Sequence, residues 1–191
     1  MASKTDLRDD IIQAASDLFM KQSYAATSIK QIAKAAGCTT AALYYYFEDG
    51  KEAILREVIN KVMPDLGGFL TPLEDVSSLR ELVLGLGVNL MQSGGDMLRT
   101  TRWLMVEFPN LGQAERSRLH KMLLDFHQQL TDMIEPFVTD RRQAEVMAWI
   151  EYTAFFGFGQ LFVTLELEET HQPPYEAYVE MLADMVGSFG K

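Results

Sequence analysis

Cysteine is nearly absent from this chain, with one residue, Cys38, among 191. A single thiol excludes an internal disulfide framework and suits a reducing compartment. Histidine is scarce too: His120, His127 and His171 form no His-x-x-x-His pair, and no second cysteine can complete a zinc box. Paired Glu-x-x-His motifs of a di-iron bundle are missing, Ser93-Gly94-Gly95 is no nucleophile elbow, and no glycine-rich phosphate loop follows a strand. These absences argue against catalysis and against a metal or other cofactor. An excess of basic charge is also lacking, since the net charge is −10. The opening MASKTDLRDD has no apolar core of a secretory signal, so a cytoplasmic protein is expected. One long apolar run, VMAWIEYTAFFGFGQLFVTL over 146–165, has the length of a membrane span, but Glu151 and Gln160 interrupt it and no second span exists. No membrane partner is expected.

What is present is helical. Strand-like alternation bounded by turn signals is missing, and apolar residues recur at spacings of three and four. The spacing predicts helices over about 5–22, 28–36, 40–46 and 49–63, then 78–92, 96–107, 113–134, 140–167 and 175–189. The fold expected is therefore all-α with about nine helices. The glycines and prolines of PDLGGFLTPLED, 64–75, mark a hinge.

The acidity is unevenly spread. Residues 1–61 hold eight Lys/Arg and eight Asp/Glu, so 62–191 carry the whole −10, and residues 18–47 hold three lysines and no acid. An acid-free window in an acidic chain suits a phosphate backbone. Within it, SIKQIAKAAGCTTAALYYYF reads as helix, turn, helix: Thr27 or Ser28 caps the first helix, Ala33 allows close crossing, and Gly37 makes the turn. Ile32, Leu43 and Phe47 fall on the shared core. Thr39, Thr40, Ala41 and Tyr44 or Tyr45 fall on the outer face of the second helix, where a major groove would be read. The alternative is an αα-hairpin that only packs.

The ordered string Ala14-Ala15, Leu18-Phe19, Thr27, Ile32-Ala33, Ala36-Gly37, Leu43-Tyr44-Tyr45, Phe47 and Lys51-Glu52 resembles the N-terminal domain of the TetR family of bacterial transcriptional regulators. The resemblance covers residues 5–58. It implies a three-helix DNA-binding domain, 1–48, joined to a helical ligand-binding and dimerisation domain, 49–191, by a connecting helix over about 49–63. It further implies that Thr27 or Ser28, Lys30 and Lys51 hold phosphates. Thr39, Thr40 and Ala41 would then face base edges, and Tyr44 and Tyr45 would touch backbone or thymine methyls. Tyr46 stands where histidine is common, and Glu48-Asp49-Gly50 is one residue longer and more acidic than usual. The function implied is a ligand-responsive regulator, a repressor in most such proteins, acting as a homodimer on a palindromic double-stranded operator.

Residues 97–165 are dense in large apolar groups. Trp103, Met105, Phe108, Met122, Phe126, Trp149, Tyr152 and Phe156 would line a pocket for a small hydrophobic or aromatic effector, oriented by Glu107 and Glu151. Plain core is the competing reading of the same residues. Glu151, inside an apolar helix, needs a partner: a cationic ligand, Arg102 or the other subunit. Gly157 and Gly159 leave room for close helix approach. With Phe158, Leu161, Tyr178, Leu182 and Met185 they would form the four-helix dimer interface that the resemblance implies.

Overall fold

The computed structural model describes residues 4–63, 65–165, 167–172 and 174–190, and no strand occurs among them. These residues gather into two compact units, one of residues 4–63 with 103–116 and the other of residues 65–102 with 117–190. Pro64, the first residue of the expected hinge, lies outside the described residues.

The first unit begins with α1, Lys4–Gln22. Ile11, Ala15 and Phe19 recur every fourth residue and are fully buried, the spacing that lines one face of a helix. Ser23, in the left-handed region at φ 71°, ends it and returns its N–H to the Phe19 carbonyl at 2.9 Å. Helix α2, Ile29–Ala35, is capped by Ser28, whose hydroxyl takes the Gln31 N–H while the Gln31 side chain takes the Ser28 N–H. Ile32 and Ala33 are its buried residues. Gly37 follows at φ 67°, a conformation that costs a glycine nothing, and lets Cys38 donate its N–H to the Ala33 carbonyl. Cys38 is half-buried, and burial pushes its thiol pKa up. Helix α3, Thr40–Tyr46, is capped by Thr39 and buries Leu43. Helix α4, Lys51–Val62, buries Ile54, Leu55, Val58 and Ile59. Each such aliphatic side chain taken from water contributes about 1.5–3 kcal/mol.

In the second unit, two short 3₁₀ turns, Gly67–Phe69 and Thr71–Leu73, precede α5, Leu79–Glu107. The hydroxyl oxygen of Ser78 accepts the Glu81 N–H, while the Glu81 carboxylate takes the backbone and hydroxyl of Ser77. The break expected at Gly94-Gly95 is not there: 78–92 and 96–107 form one continuous helix. Two interior glycines cost about 1 kcal/mol each, less than the burial of Leu82, Val83, Leu86, Trp103 and Leu104 to either side returns. The last turn of α5, from Trp103, belongs to the first unit.

Helices α6, Gln113–Ile134, α7, Arg141–Gly159, and α8, Tyr175–Gly187, complete the chain. The expected helix over 140–167 stops being α-helical at Gly159 and continues as one π turn, Gln160–Thr164. The second core packs Leu82 and Leu86 of α5 with Leu130 and Ile134 of α6, Ala144 and Ala148 of α7, and Leu182 and Ala183 of α8. The Tyr175 hydroxyl donates to the Gly87 carbonyl at 2.7 Å, tying α8 to α5.

Candidate nucleic-acid interface and ligand site

Helix α3 presents one buried face and one open face. Leu43 and Phe47 turn inward, while Thr39, Thr40, Ala41, Tyr44 and Tyr45 are exposed, and Tyr46 is half-buried. Tyr45 is 66% exposed and meets Tyr46 edge to face at 5.3 Å. Lys30 and Ser28 are exposed at the start of α2. Thr39 is not idle, because its hydroxyl oxygen accepts the Ala42 N–H at 3.1 Å; the hydroxyl proton remains a donor. Of the two acids after α3, Asp49 is paired with Arg56 at 2.7 Å.

Tyr44 is held by a feature that sequence reading missed. Gly50, buried, caps α4 at φ 62° and ψ −129°, a region essentially reserved for glycine. A Cβ built there would lie 3.1 Å from Tyr44 Cε1. The tyrosine ring thus rests on bare backbone, which sets its direction.

Two residues expected to hold phosphates have other employment. Thr27 is 2% exposed; its hydroxyl donates to the Ser23 carbonyl and accepts from the Gln22 amide. Lys51 sends its ammonium inward, to the Tyr24 and Thr27 carbonyls at 2.8 Å each, and lies 4.1 Å from the Tyr24 ring centroid. The Tyr24 and Thr27 carbonyls lie in a loop outside any helix, and the Lys51 ammonium at the start of α4 caps both. Both are therefore corrected from phosphate contacts to supports of the turn before α2.

Glu107 is corrected in the same way. Rather than orienting a ligand, it is 1% exposed and accepts the Tyr24 N–H and the Asn110 amide, both at 2.8 Å. Burial, then Glu52 and Glu107, raise the Tyr24 pKa.

The expected pocket residues divide between the units. Trp103, Met105, Glu107 and Phe108 belong to the first, where Trp103 is buried, Met105 is half exposed and Phe108 carries the Arg116 guanidinium at 5.1 Å. The second holds Met122, Phe126, Trp149, Glu151, Tyr152 and Phe156. There the Tyr152 ring lies 5.3 Å from Phe126, 6.0 Å from Trp149 and 6.2 Å from Phe156. His127 stacks on Trp149 at 4.1 Å and donates from Nε2 to the Glu145 carbonyl. Glu151 lies among core residues at 0% exposure, and burial pushes its pKa to about 8.

The expected dimer residues also divide. Gly157 has open space where a Cβ would be, and Leu161 and Met185 are about half exposed. Phe158 instead packs on Phe162, Tyr175 and Tyr178 within the unit. Gly159 is buried against Leu98, and Leu182 is a core residue. Those two are corrected from a subunit contact to internal packing. Exposed large apolar residues of this unit include Val146, Trp149 and Ile150 on α7, Met181 and Met185 on α8, and Phe189 beyond it. Among the described residues, no helix is long and apolar enough to cross a membrane, and no cluster of three His, Cys, Asp or Glu could hold a metal ion.

Residues 11–58 match the family described as "Bacterial regulatory proteins, tetR family". Over 59 residues the chain is 41% identical to the HTH-type transcriptional regulator YxaF of Bacillus subtilis (strain 168), covering 31% of each chain. Over 57 residues it is 40% identical to the HTH-type transcriptional regulator LmrA of the same organism, covering 30% of each. The similarity thus spans under a third of these curated relatives. The likeness of the whole fold is carried by a tetR-family bacterial regulatory protein from Rhodococcus RHA1. Its solved structure superposes with a TM-score of 0.67 at 20% identity, covering 97% of this chain and 98% of that one.

Proposed function

We propose, from the match of residues 11–58 to the tetR family of bacterial regulatory proteins, that the chain is a DNA-binding transcriptional regulator of that family that reads a double-stranded operator with α3. The observation that carries this reading is the open face of α3, where Thr39, Thr40, Ala41, Tyr44 and Tyr45 are all exposed in a window free of acids. Thr39, Thr40 and Ala41 are short enough to bring the helix start close to base edges, and the Ala41 methyl suits a thymine methyl. Tyr44 and Tyr45 reach the backbone or thymine methyls further along; Lys30, Ser28 and Tyr46 lie where phosphates would pass.

Residues 1–48 would read DNA, 49–191 would hold effector and partner, and α4 would connect them. A single seven-residue helix offers little specific contact, so two copies on a palindrome are required, with half-sites about one helical turn apart or more. The open apolar residues of α7 and α8 supply a face for that second copy. A small hydrophobic or aromatic effector would favour one separation of the two reading heads. If that separation misfits the operator by a few kcal/mol, DNA is released, and the protein acts as a repressor.

Selection from a random duplex library tests the reader, with Tyr44→Ala as control and affinities taken at several salt concentrations. Enrichment of a palindrome, binding that weakens steeply with salt and loss in Tyr44→Ala are expected. Enrichment of no sequence by either protein would sink the proposal and leave α2–α3 as a packing hairpin.

A further inference from the structure

Helix α3, TAALYYY, carries no arginine, lysine, asparagine, glutamine or acid. Those are the side chains that tell bases apart by hydrogen bonds: Arg or Lys on guanine, Asn or Gln on adenine, Glu or Asp on cytosine. Its neighbourhood does not lend one. Up to residue 59 the chain has two arginines, three glutamines and no asparagine, and each of the five is engaged. Arg8 meets Glu57 at 3.0 Å, and Arg56 meets Asp49 at 2.7 Å. Gln13 bonds Asp17 and Lys61, while Gln22 donates to the Ala26 carbonyl and the Thr27 hydroxyl oxygen. Gln31 has its amide oxygen on the Ser28 N–H and hydroxyl, so it cannot offer adenine an oxygen and an N–H together. Lys30 and Lys34 are exposed, but on α2, the helix that crosses the phosphate backbone in such units.

What the start of α3 does present is small and carries methyl groups. Thr39, Thr40 and Ala41 are all exposed, and the Thr39 hydroxyl oxygen already accepts the Ala42 N–H. A single threonine hydroxyl serves any base, so it discriminates little. A methyl group does discriminate, because in the major groove thymine alone of the four bases answers it with a C5 methyl. One methyl taken from water is worth roughly fourfold in affinity, from about 0.8 kcal/mol per buried carbon.

We infer that this protein recognises its operator chiefly through thymine C5 methyl groups, which Thr40 and Ala41 meet near the start of α3 in each half-site; this rests on α3 being the reading helix. The readout is apolar. It identifies a thymine, or a 5-methylcytosine standing in its place, by the methyl group rather than by the hydrogen-bonding edge of the base.

The test takes the operator enriched from a random duplex library by the full chain and alters its bases one chemical group at a time, with binding read by fluorescence anisotropy. Deoxyuridine in place of a fixed thymine removes only the methyl; a loss of roughly fourfold is expected at the steps α3 covers, and about tenfold or more when the symmetric pair is replaced together. At those steps 5-methylcytosine is expected to bind roughly fourfold tighter than cytosine. Guanines replaced by 7-deazaguanine, which lacks the N7 acceptor, are expected to change affinity by less than about twofold. Thr40→Ser keeps the hydroxyl and deletes one methyl. It is expected to weaken binding roughly fourfold, to become indifferent to deoxyuridine at one step, and to leave the salt slope unchanged. A destabilised fold would not produce that indifference. A selected operator with no fixed thymine, one indifferent to deoxyuridine, or one weakened about tenfold by 7-deazaguanine would overturn methyl reading and leave the regulator standing. Enrichment of no sequence would overturn both.

Discussion

Glu107 Oε1 accepts the backbone N–H of Tyr24 across 2.8 Å, joining residues 83 positions apart. The end of α5 is thereby fastened to the loop that delivers α2. Because the carboxylate is buried and serves two donors, its removal strands both. Glu107→Ala is expected to lower the unfolding free energy by about 2–4 kcal/mol, measured by urea denaturation. Asn110→Ala alone should cost less, and the double variant less than the sum, since the two residues share one bond.

Lys51 supports the same loop from α4. Lys51→Met keeps the aliphatic stem but takes the ammonium from the Thr27 carbonyl and leaves the Tyr24 carbonyl with the Thr27 N–H alone, at an expected cost of about 1–3 kcal/mol. Operator affinity should fall while the slope of log affinity against log salt stays unchanged. A lysine on a phosphate would instead shallow that slope by about 1.

Gly50 is tested by Gly50→Ala. The backbone there is hostile to any side chain, and the new methyl group would crowd the Tyr44 ring. Destabilisation of about 1–3 kcal/mol is expected. Operator affinity, measured well below the melting temperature, should drop further as Tyr44 is pushed aside. Full retention of affinity would show that the direction of Tyr44 is unimportant.

Glu151 sets a pH dependence of stability. Its folded pKa, about 8, stands above the ordinary 4.5 of the unfolded chain, so between those values the folded state binds more protons. Stability contributed by the neutral acid is complete below pH 4.5 and is lost as pH rises toward and past 8. The loss attributable to this group is on the order of a few kcal/mol. Thermal melts of wild type and Glu151→Gln from pH 5 to 9 should diverge, with the wild type falling more steeply.

Much of the first unit was legible because its signals are local. Ser28 with Gln31, Thr39, and Gly37 each fix a helix end within a few residues, and the spacing of Ile11, Ala15 and Phe19 fixes a buried face. The outward face of α3 follows from the same period. The second jobs of Thr27, Lys51 and Glu107 were not legible. They depend on the loop 23–28, whose left-handed residue is a serine rather than a glycine and gives no sign in sequence. The continuity of α5 was missed because two glycines are a local signal, whereas the burial that overrides them is tertiary. Gly159 and Leu182 were misassigned because small and apolar residues serve internal packing and subunit contact equally well.

Cys38 gives the turn between α2 and α3 a practical use. As the chain's one thiol, it would let a maleimide dye attach at a single place, beside Thr39 at the start of the proposed reading helix. Burial holds the thiol protonated beyond its usual range, so mildly alkaline labelling is called for. Docking on DNA could then be followed by fluorescence in a protein of unaltered sequence.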